Sequence, residues 1–201
     1  MNQTKYAMSF TTGGLFYAES LSLLDLYSGD WDNVSRKALE QNTIQSRVVS
    51  TAKRVVREIV SRLKMLEEEE LALLKESSSS EQKYLLWLGI CRRYRFIAEF
   101  ASEVVRERYL TLKHDLPAEE FEVFFNSKEE RHTELEKIAD STRNKLRTVL
   151  YRMLREADLI DGNNLIMPAM LSKELIHTIA KYNANDLAVF PISDSDLQKA
   201  I

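Results

Sequence analysis

Residues 43–74 read "TIQSRVVSTAKRVVREIVSRLKMLEEEELALL". Val48, Val49, Ala52, Val55, Val56, Ile59, Val60, Leu63 and Leu66 recur with the 3.6-residue period of a helix, so the stretch predicts one long amphipathic helix. The face opposite the valines carries Arg47, Ser50, Thr51, Arg54, Arg57, Glu58 and Ser61. From Thr43 to Lys64 six basic residues stand against the single acid Glu58. A short helix is expected just before it, over "DWDNVSRKALEQN", with Asp30 or Asp32 as its cap. A short helix, a tight turn and a second helix with a polar outer face is the helix-turn-helix plan, in which the second helix enters the DNA major groove. The first such pair is expected at 31–41 with 46–66.

A second stretch echoes the first. "STRNKLRTVLYRML" at 141–154 matches "STAKRVVREIVSRL" at 50–63 in its Ser-Thr opening, its basic residues and its apolar spacing. Ser141 is the expected cap of a helix over 141–157, preceded by a short helix at 129–139. Its inner stripe is Leu146, Val149, Leu150, Met153 and Ala157; Arg143, Asn144, Arg147, Thr148, Tyr151, Arg152 and Arg155 lie on the outer face. From Lys137 to Arg155 six basic residues again stand against one acid, Asp140. "LIDGNNLIMP" comes next, with hairpin chemistry, where a winged helix would place its wing. Asn163 and Asn164 sit at its tip, and this second pair is the better motif.

Around these two stretches the chain is ordinary for a helical protein. It has 201 residues, five Gly, three Pro and a net charge of −3, which by itself argues against a nucleic-acid binder. The distribution reverses that inference, because Asp115–Glu136 holds eight acids against Lys128 and Arg131 and so leaves the positive charge concentrated in the two basic helices. Further helices are expected at 15–28, closed by Gly29, at 81–113 as a central core element, from Pro117, over "KEERHTELEKIAD" and over "LSKELIHTIAKYNA". The serines of "ESSSSEQ" break the helical pattern and offer an N-cap to the helix after them. A boundary there divides an N-terminal domain, 1–76, from a C-terminal one, 81–201. The fold class expected is all-α, with two helical units each carrying a helix-turn-helix element.

Catalytic signatures are lacking in the sequence. There is no phosphate loop, GxGxxG, GxSxG or HExxH, and "TTGG" at 11–14 has no Lys-Ser/Thr after it. His132 has Glu129, Glu130 and Glu136 nearby, a pattern expected of a solvated acidic face, since one His–Glu pair supplies too few metal ligands. Cys91 lies in an apolar run and is expected to pack in the core. In "RRYRF" at 92–96, Tyr94 or Phe96 is expected in the core, with the arginines paired to Glu99, Glu103 or the acidic segment. The longest apolar run, "YLLWLGIC", is too short to span a bilayer. With one cysteine and no signal-peptide pattern at the start, a cytoplasmic protein is expected, with no membrane partner. No enzyme activity, cofactor or metal is expected.

"SFTTGGLFYAES", "LLWLGICRRYRFIAEFASEVVRERYL", "STRNKLRTVLYRMLREADLI" and the late "LAVFP" together resemble the BrxA family of bacteriophage exclusion (BREX) defence systems. The resemblance covers about residues 10 to 190 and rests on several blocks in the right order. It implies an all-helical, non-enzymatic protein that binds double-stranded DNA and works beside other BREX proteins, including a methyltransferase and large ATPase-type proteins. Helix geometry then places DNA contacts at Arg47, Ser50, Thr51, Arg54 and Arg57, and at Arg143, Asn144, Lys145, Arg147 and Arg152. The rival roles are a protein–protein adaptor within the BREX complex and a transcriptional regulator of its own operon. A monomer is the expected state.

Overall fold

The computed structural model describes residues 5–11, 13–193 and 195–197; the outermost ends of both expected domains and Thr12 of "TTGG" lie outside these. The fold is all-α, with no sheet among the described residues. In chain order the α-helices are α1 (Tyr17–Leu24), α2 (Trp31–Glu40), α3 (Val49–Leu63), α4 (Glu68–Glu76), α5 (Ser79–Arg93), α6 (Arg95–Phe100), α7 (Glu107–Leu110), α8 (Ala118–Glu129), α9 (Asp140–Glu156) and α10 (Lys173–Asn183). A π-helical segment, Ala101–Arg106, joins α6 to α7, and a 3-10 helix, Ala184–Val189, comes after α10.

α5 is the central element. Tyr84 to Cys91 are buried without interruption, and Trp87 donates its indole N–H to the Val189 carbonyl at 3.1 Å. Gly89 lets α3 approach closely, since a Cβ there would sit 2.9 Å from the Arg62 carbonyl oxygen. Buried side chains from Tyr6 to Ile192 form a single apolar cluster. One end is aromatic: Phe96 and Phe100 contact Phe121 and Phe124 of α8, and Phe10 and Tyr6 contact Phe96. Such ring pairs add about 0.5–1.5 kcal/mol each beyond the area they bury. Burial also pushes the Cys91 thiol well above its ordinary value, with the Asp186 carboxylate adding to the shift.

Several expected elements differ. The stretch 43–74 is two helices, because the Glu67 side chain accepts from the backbone of Glu70 while Glu70 accepts from the Glu67 N–H, a capping box that starts α4 afresh. α3 begins only at Val49, after a turn in which Asn42 and Gln45 take positive φ. The expected helix 81–113 breaks at Tyr94, whose backbone is extended and whose buried hydroxyl donates to Glu58 of α3 at 2.6 Å. No α-helix forms over 130–139; successive i→i+3 turns at Arg131, His132, Leu135 and Ile138 replace it, leaving α8 as the helix before α9. Only Leu135 and Ile138 of that segment are apolar enough to pack, too few for an amphipathic stripe. His132 is not solvated: it is buried against the Tyr6 ring, centroids 4.2 Å apart. α1 is shorter than expected at both ends, and α9 starts at Asp140 with Ala139, not Ser141, at its N-cap. Asp30, Ser78 and Ser172 cap α2, α5 and α10 through side-chain oxygens.

Glu70 is fully buried and ionic. Arg92 holds it with two bonds, Nη1 to Oε2 at 2.5 Å and Nη2 to Oε1 at 2.8 Å. The same guanidinium donates to the Met65 carbonyl at 2.9 Å and to Asp186 at 2.7 Å. Arg92→Ala leaves a buried carboxylate unpaired and is expected to cost about 3–5 kcal/mol, read as a fall in the urea midpoint. The Cys91 thiol is expected to react with a thiol reagent only on unfolding, which thiol labelling across the same urea series checks.

Candidate nucleic-acid interface

α3 turns Ala52, Val56, Ile59, Val60 and Leu63 inward, as its apolar period requires. Arg47, just before its first turn, and Ser50, Arg54 and Arg57 on the helix are exposed; Thr51 is half-buried. Among the described residues Arg47, Lys53, Arg54 and Arg57 make no ion pair within the chain. Lys53 is absent from the contacts expected from the sequence, though it falls four residues before Arg57 and four after Val49, which puts the three on one stripe. Lys53 and Arg57 line a groove of about 550 Å³ between α2 and α3, together with Asp32, Ser35, Leu39 and Lys64. Val48 and Val49, expected on the inner face, are 56% and 68% exposed, because α3 begins at that point and its first turn runs past the core.

Two charged residues of α3 turn inward and fix its orientation. Arg62 is buried, donating Nε to Glu58 at 2.8 Å and Nη1 to the Gly14 carbonyl at 2.7 Å. Glu58 also accepts the Tyr94 hydroxyl, and burial together with that bond pushes the phenol up to about 12. The N-terminal segment thereby links the two basic helices: Gly14 accepts from α3, while the Leu15 N–H donates to Glu156 of α9 at 2.5 Å.

On α9 the cations are divided. Arg143 and Arg147 converge on one carboxylate of α8, Glu122, at 2.6 and 2.8 Å. Arg143 also donates to Asn126 at 2.6 Å and lies over the Phe125 ring at 4.1 Å. Asn144, Lys145, Thr148 and Arg152 are exposed. Arg152 lines a cavity of about 700 Å³ with Gly13, Gly14, Lys83 and Arg155. Tyr151, expected on the outer face, is buried and donates to the Pro117 carbonyl at 2.8 Å; burial raises its phenol above the ordinary range.

After α9 the chain doubles back. Ile160 and Ile166 form an antiparallel bridge, and Leu165 bridges to Asp115. Asp161 accepts from the Asn163 and Leu165 N–H groups at 2.8 Å, and Arg155 holds Asn164 at 2.7 Å. Asn163 is exposed at the tip, while Asn164 is half-buried. Among the described residues no group of three or more His, Cys, Asp or Glu is placed to hold a metal ion, and no helix is long and apolar enough to cross a membrane.

Fold and surface together describe a small all-helical protein with two outward basic helices, one of them trailed by a wing-like turn. The chain belongs to the BrxA family, whose model matches residues 4–183. It is 28% identical over 151 residues to the BREX protein BrxA of Escherichia coli O9:H4 (strain HS), covering 74% of this chain and 71% of that one. It is 26% identical over 149 residues to the BREX protein BrxA of Bacillus cereus (strain H3081.97), covering 73% and 74%. The crystal structure of an uncharacterized protein from Magnetospirillum magneticum shares the fold, with a TM-score of 0.78 over 94% of this chain and 98% of that one at 20% identity.

The two sets of arginines are expected to respond differently to truncation. Arg143→Ala removes a charged hydrogen bond and a ring contact between α8 and α9, and should cost about 1–3 kcal/mol. Arg54→Ala, on an exposed face, should stay within about 0.5 kcal/mol of the parent in the same urea titration.

Proposed function

We propose that this protein is a non-enzymatic, double-stranded DNA-binding component of a BREX anti-phage defence system. The family membership supports the BREX role. The observation that carries the DNA reading is the exposed set of Arg47, just before α3, and Lys53, Arg54 and Arg57 on it, none in an ion pair among the described residues, while the other charged residues of α3, Glu58 and Arg62, are bonded internally. A protein that leaves four cations together in water, while neutralising its buried ones individually, has a surface matched to a polyanion.

In this reading α2 and α3 act as the helix-turn-helix, with α3 in the major groove and Ser50 and Thr51 near its N-terminus. No side chain caps α3, so its first N–H groups are available to a phosphate. α9 contributes Asn144, Lys145 and Arg152, with Asn163 of the wing alongside, while Arg143 and Arg147 brace α9 on α8 and supply a partial charge at the rim. Affinity comes chiefly from phosphate neutralisation, so sequence preference is modest.

Purified protein and a labelled random-sequence duplex test this across a salt series. Four phosphate contacts predict a slope of log Kobs against log[KCl] of about −3 to −4. Arg54→Glu with Arg57→Glu should weaken binding at least about tenfold and shorten the slope by about 2. An unchanged slope in that variant would overturn the assignment of the surface. Strong preference for one operator would instead mark a regulator of its own operon.

A second reading, an adaptor that docks other BREX proteins, draws on the exposed Leu112, Leu165, Met167 and Met170. Its mark is partner capture that survives nuclease and moderate salt.

A further inference from the structure

Val48, at the N-cap of α3, and Val49, its first residue, are exposed apolar side chains set in the basic surface of this helix. Both are more than half exposed, although Val56 and Val60 of the same helix are buried. A solvent-facing pair of β-branched side chains opening a helix gains nothing in propensity over polar residues there, and an N-cap valine supplies no side-chain acceptor. Val49 begins the four-residue stripe that continues through Lys53 and Arg57, and Arg47 and Ser50 flank the pair. The stripe therefore offers one apolar contact at its start and cations along the rest.

A duplex major groove presents the matching arrangement: phosphates along both walls and, on its floor, one apolar group, the thymine 5-methyl. We propose that Val49, helped by Val48, packs on thymine methyl groups and gives this protein a preference for thymine-containing steps. This rests on the DNA-binding reading above, and it deepens that reading by naming the base feature the helix recognises. The surrounding cations favour this occupant over an apolar protein surface, because docking a protein there would desolvate Arg47, Lys53 and Arg57 unless it brought acids to match.

Two duplexes of about 20 base pairs, identical except that uracil replaces every thymine, separate the methyl from all else; that length covers two helical turns. Each buried methyl accounts for about fourfold in affinity, so the thymine duplex should bind about four- to tenfold more tightly than the uracil duplex. Val49→Ala should bind the thymine duplex more weakly while leaving the uracil duplex unchanged, which closes the cycle on the methyl–valine contact. Equal binding of both duplexes by the parent protein would overturn the valine–methyl contact and leave the DNA reading standing. Failure to bind either duplex at low salt would overturn both. An equal loss on both duplexes in Val49→Ala would also overturn the contact, since the valine would then act through α3 and not through the methyl.

Discussion

Glu70 sits in the core with no access to water, and an ionised carboxylate there is tenable only if a cation and further donors replace its hydration. Arg92 provides both. Because its remaining donors reach Met65 and Asp186, one guanidinium fixes the turn between α3 and α4, the start of α4 and the 3-10 helix after α10. The α3–α4 turn is where the first basic helix ends, so the aim of its outer face depends on this contact. Arg62 and Glu58, in the last turns of α3, add to the constraint through the Gly14 carbonyl and Tyr94. Both networks act near the C-terminal end of α3, beside the close approach of the Arg62 carbonyl to Gly89 of α5.

Within that frame the charged residues divide by their surroundings. Arg62 and Arg92 are consumed inside the fold; Arg143 and Arg147 are half-spent on Glu122; Arg47, Lys53, Arg54 and Arg57 face water. Side-chain cations pointing into solvent cost little in the folded state and contribute little to it, since exposed pairs are worth about 0–1 kcal/mol at most. Their concentration on one helix is therefore free to serve binding, and the overall negative charge of the chain does not oppose it, because screening confines each charge to about 8–10 Å at ordinary ionic strength.

Much of this is legible in the residues themselves. The all-α class, the burial of α5 and the outward face of α3 come from local periodicity, and the cap at Asp30 or Asp32 and the break at the serines from local side-chain chemistry, both of which survive folding. The rest depends on partners distant in sequence. Nothing within 43–74 marks the restart at Glu68, because Glu67 and Glu70 are hidden in a run of four acids and one of them is claimed by Arg92. Tyr94 breaks the long helix for the sake of a bond to Glu58, 36 residues away. On α9 Arg143 and Arg147 do lie at the angles their spacing implies, yet Glu122 reaches both from a preceding helix whose position no periodicity predicts. Tyr151 leaves the expected outer face for the same reason, since Pro117 accepts its hydroxyl from across the α8–α9 interface.

The outer face of α3 is the surface proposed to meet DNA. A Ser50→Cys variant carrying a photoactive group tests it most directly, because Cys91, the one native cysteine, is buried and stays unlabelled. Illumination with random-sequence duplex is expected to yield a protein–DNA crosslink from position 50, lost as salt is raised, with none from a control label at Glu136 in the acidic segment. Duplex binding by the labelled protein without a crosslink from position 50, or a crosslink as strong from position 136, would contradict it.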